Sequence, residues 1–264
     1  MDFWGPSGPG QLAVALEITP PQRSLPHVLV RRAALLGRLA GAVDVIQRPG
    51  RQSSLEAAAE LAAAGFAPIW HLVTHGRTRD QVEAEVLRAA ALGLHDLLAL
   101  KGDHDSEGPG LPIREAVAIA RDLLPGARLG ATLNQYARDT GAARRNLFGK
   151  LAAGATYVET QPVFAHADVR PSAEAVKERF PGARVVAMVM PLPSADAGRK
   201  LAARLGIPEP AGPPFEELIA ELAASPLIDG IAVMTFEMDP GPEAGERIAG
   251  ALAAAGVATD AASG

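Results

Sequence analysis

Eight short apolar segments alternate along the chain with longer, alanine-rich segments of helical period. Most of the short segments are nearly continuous apolar runs, which is typical of parallel strands that are buried on both faces. The longer segments begin at capping residues, as at Ser53 and Thr78, and end at glycines such as Gly65 and Gly93. The predicted strands are residues 12–19, 42–47, 67–74, 96–103, 128–134, 156–164, 184–192 and 228–236.

This repeat predicts an α/β protein with a single (β/α)8 barrel, since eight such units fit within 264 residues. An open, doubly wound sheet is the alternative, but no G-x-G-x-x-G motif follows the first predicted strand. No low-complexity linker divides the chain, so we predict one domain over residues 1–264. An additional loop and helix are predicted at about residues 207–225, before the eighth strand.

Charge and composition limit the classes of partner. The chain has 25 Lys and Arg against 30 Asp and Glu, and it has no basic tract, so we expect no nucleic acid and no anionic membrane as partner. The N-terminus has no basic segment followed by an apolar run, and no window approaches the roughly 18 apolar residues of a spanning helix. We therefore expect a cytoplasmic protein with a small-molecule partner. The sequence does not decide whether it forms a homo-oligomer. The lack of cysteine excludes thiolate zinc sites and cysteine nucleophiles.

Polar residues stand at the carboxyl ends of most predicted strands. In a barrel these ends converge on one pocket, so the residues there are candidates for the active site. The seventh strand ends instead in Met190 and Pro191, which gives the pocket an apolar wall. The polar candidates include one isolated acid, several amides and a lysine–aspartate pair. They are Glu17, Gln47, His71, Thr74, Lys101, Asp103, Asn134, Thr160, Gln161, Thr235 and Glu237.

Each candidate also has an ordinary structural interpretation. Glu17 could pair with a surface lysine, but its neighbours are mostly apolar or small, which argues against exposure. Asp103 follows a glycine and could cap a turn, and His71 could be a core histidine. Lys101 could form a Schiff base if it were desolvated, although pairing with Asp103 or a phosphate is the simpler interpretation. We expect no metal at His104, Asp105 and Glu107, because that loop has no second ligand set.

Several of these segments resemble methylenetetrahydrofolate reductases, in the same order along the chain. Each of the main motifs stands at or leads to a predicted strand end. Shorter similarities are Met190-Pro191 at the seventh strand and Gly206-Ile207-Pro208 after the following helix. The main motifs are E-I-T-P-P at 17–21, H-L-V-T at 71–74, L-A-L-K-G-D at 98–103, and K-L-A-A-G-A at 150–155 leading to T-Q-P-V-F at 160–164.

The resemblance implies a (β/α)8 barrel that reduces 5,10-methylenetetrahydrofolate to 5-methyltetrahydrofolate, with hydride from NAD(P)H passed through FAD. It implies that Glu17 is the general acid, that Asp103 acts near the flavin and the pterin, and that Gln161 orients the substrate. Gln47 and Thr160 are the further predicted substrate-binding residues. The predicted cofactor-binding residues are His71, Thr74, Lys101, Gly102, Asn134, Asn146 and Lys150.

The chain departs from the family pattern mainly at flavin contacts. Lys101 stands where the family has arginine, Ile46 where threonine is usual, and Gly149 where arginine is common. The loop 134–139 replaces a Y-P-E-x-H stretch, and the end of the eighth strand lacks the arginine that can hold the folate tail. Loss of guanidinium groups weakens phosphate binding. Direct hydride transfer without flavin is therefore an alternative.

Two further alternatives concern the activity itself. The chain could be a folate or one-carbon binding protein, or a partner subunit, that has lost turnover. It could also be a lysine-dependent aldolase-type barrel that uses Lys101.

Overall fold

The computed structural model describes residues 12–102, 110–235, 237 and 239–257, and it shows one closed barrel of parallel strands. Each strand pairs with the next, and the eighth pairs with the first, which confirms the predicted (β/α)8 barrel. The strands are β1 Ala13–Ile18, β2 Ala42–Val45, β3 Pro68–Val73, β4 Asp96–Leu100, β5 Arg128–Leu133, β6 Tyr157–Thr160, β7 Arg184–Val189 and β8 Gly230–Met234.

Helices surround the barrel and bury its outer face. They are α1 Pro26–Ala33, α2 Ser54–Ala63, α3 Arg79–Ala91, α4 Ile113–Leu123, α5 Thr140–Ala153, α6 His166–Arg179, α7 Ala195–Leu205, α8 Phe215–Ala224 and α9 Pro242–Ala254, with a 3-10 turn at Gly37–Leu39. Helix α8 lies between α7 and β8 in the chain and packs against α9 and α6. No helix in the described ranges is long and apolar enough to cross a membrane.

Local sequence signals fix where the helices begin and end. The Ser53 hydroxyl accepts the backbone N–H of Glu56 at the start of α2, and Thr78 forms a capping box with Gln81 at the start of α3. Gly65 and Gly93 follow these two helices with φ values of +89° and +71°. Glycine adopts this left-handed region without steric cost, so it ends each helix and turns the chain towards the next strand.

The middle of the barrel is filled by one large side chain. Tyr157 on β6 is fully enclosed, and its hydroxyl donates to the backbone oxygen of Leu97 at 3.2 Å. A Cβ at position 130 would lie 2.2 Å from Cζ of Tyr157, so only glycine fits at this point of β5. The ring packs in an apolar layer of inward-facing side chains: Ala15, Ala42, Ile69, Leu98, Val186 and Ala232.

Candidate active site

Four ionisable side chains lie one layer above this apolar layer, towards the carboxyl ends of the strands. Side chains alternate between the two faces of a strand, so a residue two positions after an inward-facing residue also faces inward. Position 17 follows Ala15 in this way, and the other three follow Ala42, Ile69 and Tyr157. We call this group the acid ring: Glu17, Asp44, His71 and Glu159, which are 3%, 0%, 5% and 2% exposed.

Within the acid ring, Asp44 and His71 form a buried pair. Nε2 of His71 lies 2.7 Å from Oδ1 of Asp44. The backbone N–H of Gln47 points at Nδ1 of the same ring at 3.4 Å, and the backbone N–H of His71 donates to Oγ of Ser54. Burial opposes a charged imidazole, but the Asp44 carboxylate and then Glu17 outweigh it and raise the pKa of His71.

Glu17 is the member of the ring suited to proton donation. Burial, and then the Asp44 carboxylate, raise the pKa of Glu17 to about 8, although His71 and Arg48 act in the opposite direction. Its Oε1 is buried and has no hydrogen-bond partner among the described residues. Glu17 is therefore protonated at neutral pH, with one oxygen uncommitted to the protein.

Glu159 faces the same centre from the other side of the barrel. It is paired in register with Thr132 of β5. Burial, then the charges of Asp44 and Glu17, raise the pKa of Glu159 well above its usual value. Glu17 and Glu159 therefore hold their protons to a higher pH than exposed carboxyl groups do.

A cavity of about 450 Å³ opens beside Glu17 at the carboxyl end of the barrel. This volume lies within the range of about 300–1,000 Å³ that is usual for small-molecule sites. Apolar side chains from β1 and β8, and from the residues that follow β2 and β7, form much of its wall, and arginines lie among them. Its lining is Leu16, Glu17, Ile18, Thr19, Arg32, Leu35, Ile46, Arg48, Met190, Arg204, Met234, Thr235, Glu237 and Pro240.

The predicted substrate-binding residues lie apart from this cavity. The Gln47 side chain accepts the backbone N–H of Ser54, and the Thr160 hydroxyl accepts the backbone N–H of Met188. Both side chains thus have bonds that join neighbouring elements of the barrel. Gln161 lines a small cavity of about 90 Å³ together with Asn146 and Lys150. That Gln47, Thr160 and Gln161 bind the substrate stays a prediction.

The predicted cofactor-binding residues fall into two groups. His71 and Thr74 are buried, as is Lys150, whose Nζ donates to the backbone oxygen of Thr132 at 2.6 Å. Burial lowers the pKa of Lys150 to about 8. Lys101, Asn134 and Asn146 are exposed, and the Asn134 side chain accepts the backbone N–H of Tyr136 in its own turn. None of these residues lines the cavity beside Glu17.

That these residues hold a flavin therefore stays a prediction, and few of them offer free, fixed donors to it. A flavin dinucleotide needs fixed donors for its phosphates and ring, but the buried Lys150 is already bonded within the barrel. At Gly149 the space beside the helix is open, because a Cβ there would have only Cδ of Arg114 near it, at 4.0 Å. Gly102 has φ of +86°, and a side chain there would collide with Val73.

Three members of the acid ring lie close enough together to be candidate metal ligands. Ligand atoms of Glu17, Asp44 and His71 lie within 4.8 Å of one another, close enough to surround an ion. However, an N–H group points at Nδ1 of His71, which places the imidazole proton on Nε2, the atom that would have to bind the ion. We therefore interpret the three as a cluster that binds protons and not a metal ion.

The predicted catalytic Asp103 lies outside the described residues, as does the loop with His104, Asp105 and Glu107.

Asp44 and Glu159 were not predicted from the sequence. The signal was an acidic residue at an alternate, inward-facing position within an apolar strand, in A-V-D-V and Y-V-E-T. Such a residue has no solvent-exposed face to occupy, so its carboxyl group must face other polar groups inside the barrel.

The fold and the site together define a class of protein. A (β/α)8 barrel with a ligand-sized cavity at the carboxyl ends of its strands, and with buried ionisable groups beside it, is the arrangement of a barrel enzyme. The family model of methylenetetrahydrofolate reductase matches residues 7–213, which is most of the chain. The chain belongs to the methylenetetrahydrofolate reductase family. Membership supports a folate-related oxidoreductase, and no curated protein sequence gave a significant match.

Proposed function

We propose that the protein reduces 5,10-methylenetetrahydrofolate to 5-methyltetrahydrofolate with hydride from NAD(P)H, and that Glu17 is the general acid. The observation that carries this proposal is the buried Glu17 carboxyl group, which lines a cavity of about 450 Å³ and has one oxygen without a partner among the described residues. Burial and Asp44 raise its pKa to about 8. A general acid works best when its pKa is near the working pH. Family membership supports the folate substrate.

In the proposed reaction Glu17 gives its proton to N10 of the substrate while the bond from N10 to the bridging carbon breaks. The five-membered ring opens, and an iminium cation forms at N5. Hydride from the nicotinamide ring reduces the iminium carbon to a methyl group and leaves NAD(P)⁺. One proton and one hydride are consumed, and Glu17 regains its proton from solvent.

We propose that hydride passes directly from the nicotinamide to the substrate. The support is that the described residues predicted to bind FAD are bonded within the barrel, or exposed, and lie outside the cavity beside Glu17. NADH and NADPH are then second substrates. Asp103 and Gln161 keep their predicted roles beside the reacting carbon and the pterin edge.

The two alternatives account less well for the site. A protein that only binds folate does not need a buried carboxyl group with an uncommitted oxygen, because burying such a group costs stability without gain. An aldolase-type mechanism needs a desolvated lysine at a strand end, whereas Lys101 is exposed. The buried lysine, Lys150, is bonded to a backbone oxygen.

The test is a product assay under four conditions, with NADH or NADPH and with or without added FAD. We expect 5-methyltetrahydrofolate without FAD, and transfer of deuterium from C4 of deuterated nicotinamide into the methyl group. A purified protein without visible flavin absorbance would agree with direct transfer. Turnover only with FAD would overturn the direct route, and no methyl product under any condition would overturn the reductase proposal.

The wider setting follows from this activity. We propose a cytoplasmic enzyme of one-carbon metabolism whose product supplies methyl groups for methionine biosynthesis. Whether it assembles as a homo-oligomer stays open.

A further inference from the structure

Asp44 is a fully buried carboxylate that the proposed reaction does not consume. It is 0% exposed and lies next to Glu17 in the register of β1 and β2. A buried carboxylate beside a second carboxyl group destabilises a folded protein unless something holds and compensates it. Its presence at this position therefore requires a reason.

The surroundings hold the Asp44 carboxylate in place. His71 lies 2.7 Å from one of its oxygens, and His71 is itself fixed by the N–H of Gln47 and by Ser54. Glu159, with its raised pKa, also interacts electrostatically with Asp44. Asp44 therefore has little freedom to turn away from Glu17.

The charges around Glu17 differ in sign. Asp44 on β2 and Glu159 on β6 are acidic, while His71 on β3 and Arg48 after β2 are basic. Among the charged groups, Asp44 has the largest effect on the pKa of Glu17, and it favours the protonated form of Glu17. His71 and Arg48 favour the ionised form, and their influences are smaller.

We propose that Asp44, held by His71, is a positioning residue that keeps Glu17 in its proton-donating form until the substrate nitrogen takes the proton. Asp44 touches neither substrate nor reacting atoms, and it acts through Glu17 alone. The inference rests on the proposed function insofar as Glu17 is the acid. It gives the Asp44–His71 pair a role separate from the flavin contact that the resemblance implies for His71.

The first test compares Asp44→Asn with Arg48→Gln, which remove charges of opposite sign near the same acid. In the parent, kcat falls on the alkaline side as Glu17 loses its proton. In Asp44→Asn we expect kcat to fall at a pH that is lower by about one unit or more. At pH values above this fall, kcat should then be about tenfold lower than in the parent. In Arg48→Gln we expect a smaller shift to higher pH.

A merely structural role for Asp44 predicts a different result. Loss of packing would lower kcat at every pH and leave the alkaline fall in place. Shifts in the same direction for both variants, or no shift in Asp44→Asn, would overturn the inference. Asp44→Glu keeps the charge and should restore most of the parent pH profile.

A second measurement does not depend on turnover. Infrared difference spectroscopy detects the protonated carboxyl band of Glu17, assigned by its loss in Glu17→Gln, and follows it as pH rises. We expect the band to disappear at lower pH in Asp44→Asn and at higher pH in Arg48→Gln. This outcome would support the role of Asp44 even if the reductase assay failed. If Asp44→Asn does not fold, an unchanged titration in Arg48→Gln would count against the inference.

A metal-binding experiment tests the alternative that Glu17, Asp44 and His71 hold an ion. Purified protein is dialysed with Zn²⁺ or Mn²⁺, and bound metal and the Glu17 band are measured. Because the imidazole proton lies on Nε2, we expect no stoichiometric metal and no effect of a chelator. One tightly bound ion per chain, lost in Asp44→Asn, would replace the inference with a metal site.

Discussion

The two sides of the barrel mouth differ in what their buried polar groups are bonded to. On the side of β1, β2 and β8, Glu17 has an uncommitted oxygen and lines a cavity of about 450 Å³. On the side of β5 and β6, Lys150 is bonded to Thr132, and the neighbouring cavity is about 90 Å³. A buried polar group without an internal partner calls for an explanation, and a catalytic role is one, whereas a bonded group is explained by the fold.

The strongest test of this comparison is Glu17→Gln. Glutamine keeps the shape of the side chain but has no proton to donate, so we expect kcat to fall by about 100- to 10,000-fold. Binding of the nicotinamide nucleotide, measured by its fluorescence, should persist. Glu237→Gln is the matched control, because Glu237 lines the same cavity but is exposed. If Glu17→Gln turned over within a few-fold of the parent, another residue would have to be the general acid, and Asp103 is the next candidate.

On the other side, Lys150→Met should change stability. Burial lowers the pKa of Lys150 from 10.5 to about 8. Between these values the unfolded state binds more protons than the folded state, so stability rises with pH. The full shift corresponds to roughly 3 kcal/mol, of which most should develop between pH 8 and pH 10. Lys150→Met should lack this rise.

Urea unfolding of parent and variant at several pH values checks this expectation. Lys200→Met is the control, since Lys200 is a surface lysine of α7 that pairs with Asp196. Its pH dependence between 8 and 10 should match that of the parent. An identical pH dependence in parent and Lys150→Met would show that Lys150 is not desolvated in solution.

The smallest expected effect is that of Asn146→Ala. Asn146 is exposed on α5, and substitutions at such positions usually change stability by no more than about 0.5 kcal/mol. If no flavin binds, kcat and KM should also stay within about twofold of the parent. A large loss of activity that added FAD restores would show that this side of the mouth binds a cofactor.

The fold could be predicted from sequence because burial on both faces makes each strand a continuous apolar run, and the repeat gives eight of them. Glu17 and His71 were recognisable because a polar residue near a strand end is unusual there. Asp44 and Glu159 were not, because the predicted second and sixth strands ran to residues 47 and 164, past the observed ends at Val45 and Thr160, which placed the two acids inside them. A polar side chain's partner also depends on register between distant strands. The bond of Thr160 to Met188 is an example, since it joins residues 28 positions apart.

Tyr157 determines how the acid ring can exchange protons with water. With Gly130 opposite, its ring and the apolar layer around it occupy the barrel directly beneath Glu17. The other side chains of this layer are apolar, so the open, carboxyl end of the barrel is the direct route between solvent and Glu17. If Glu17 is the acid of the proposed reaction, it regains its proton through the same opening by which the product leaves.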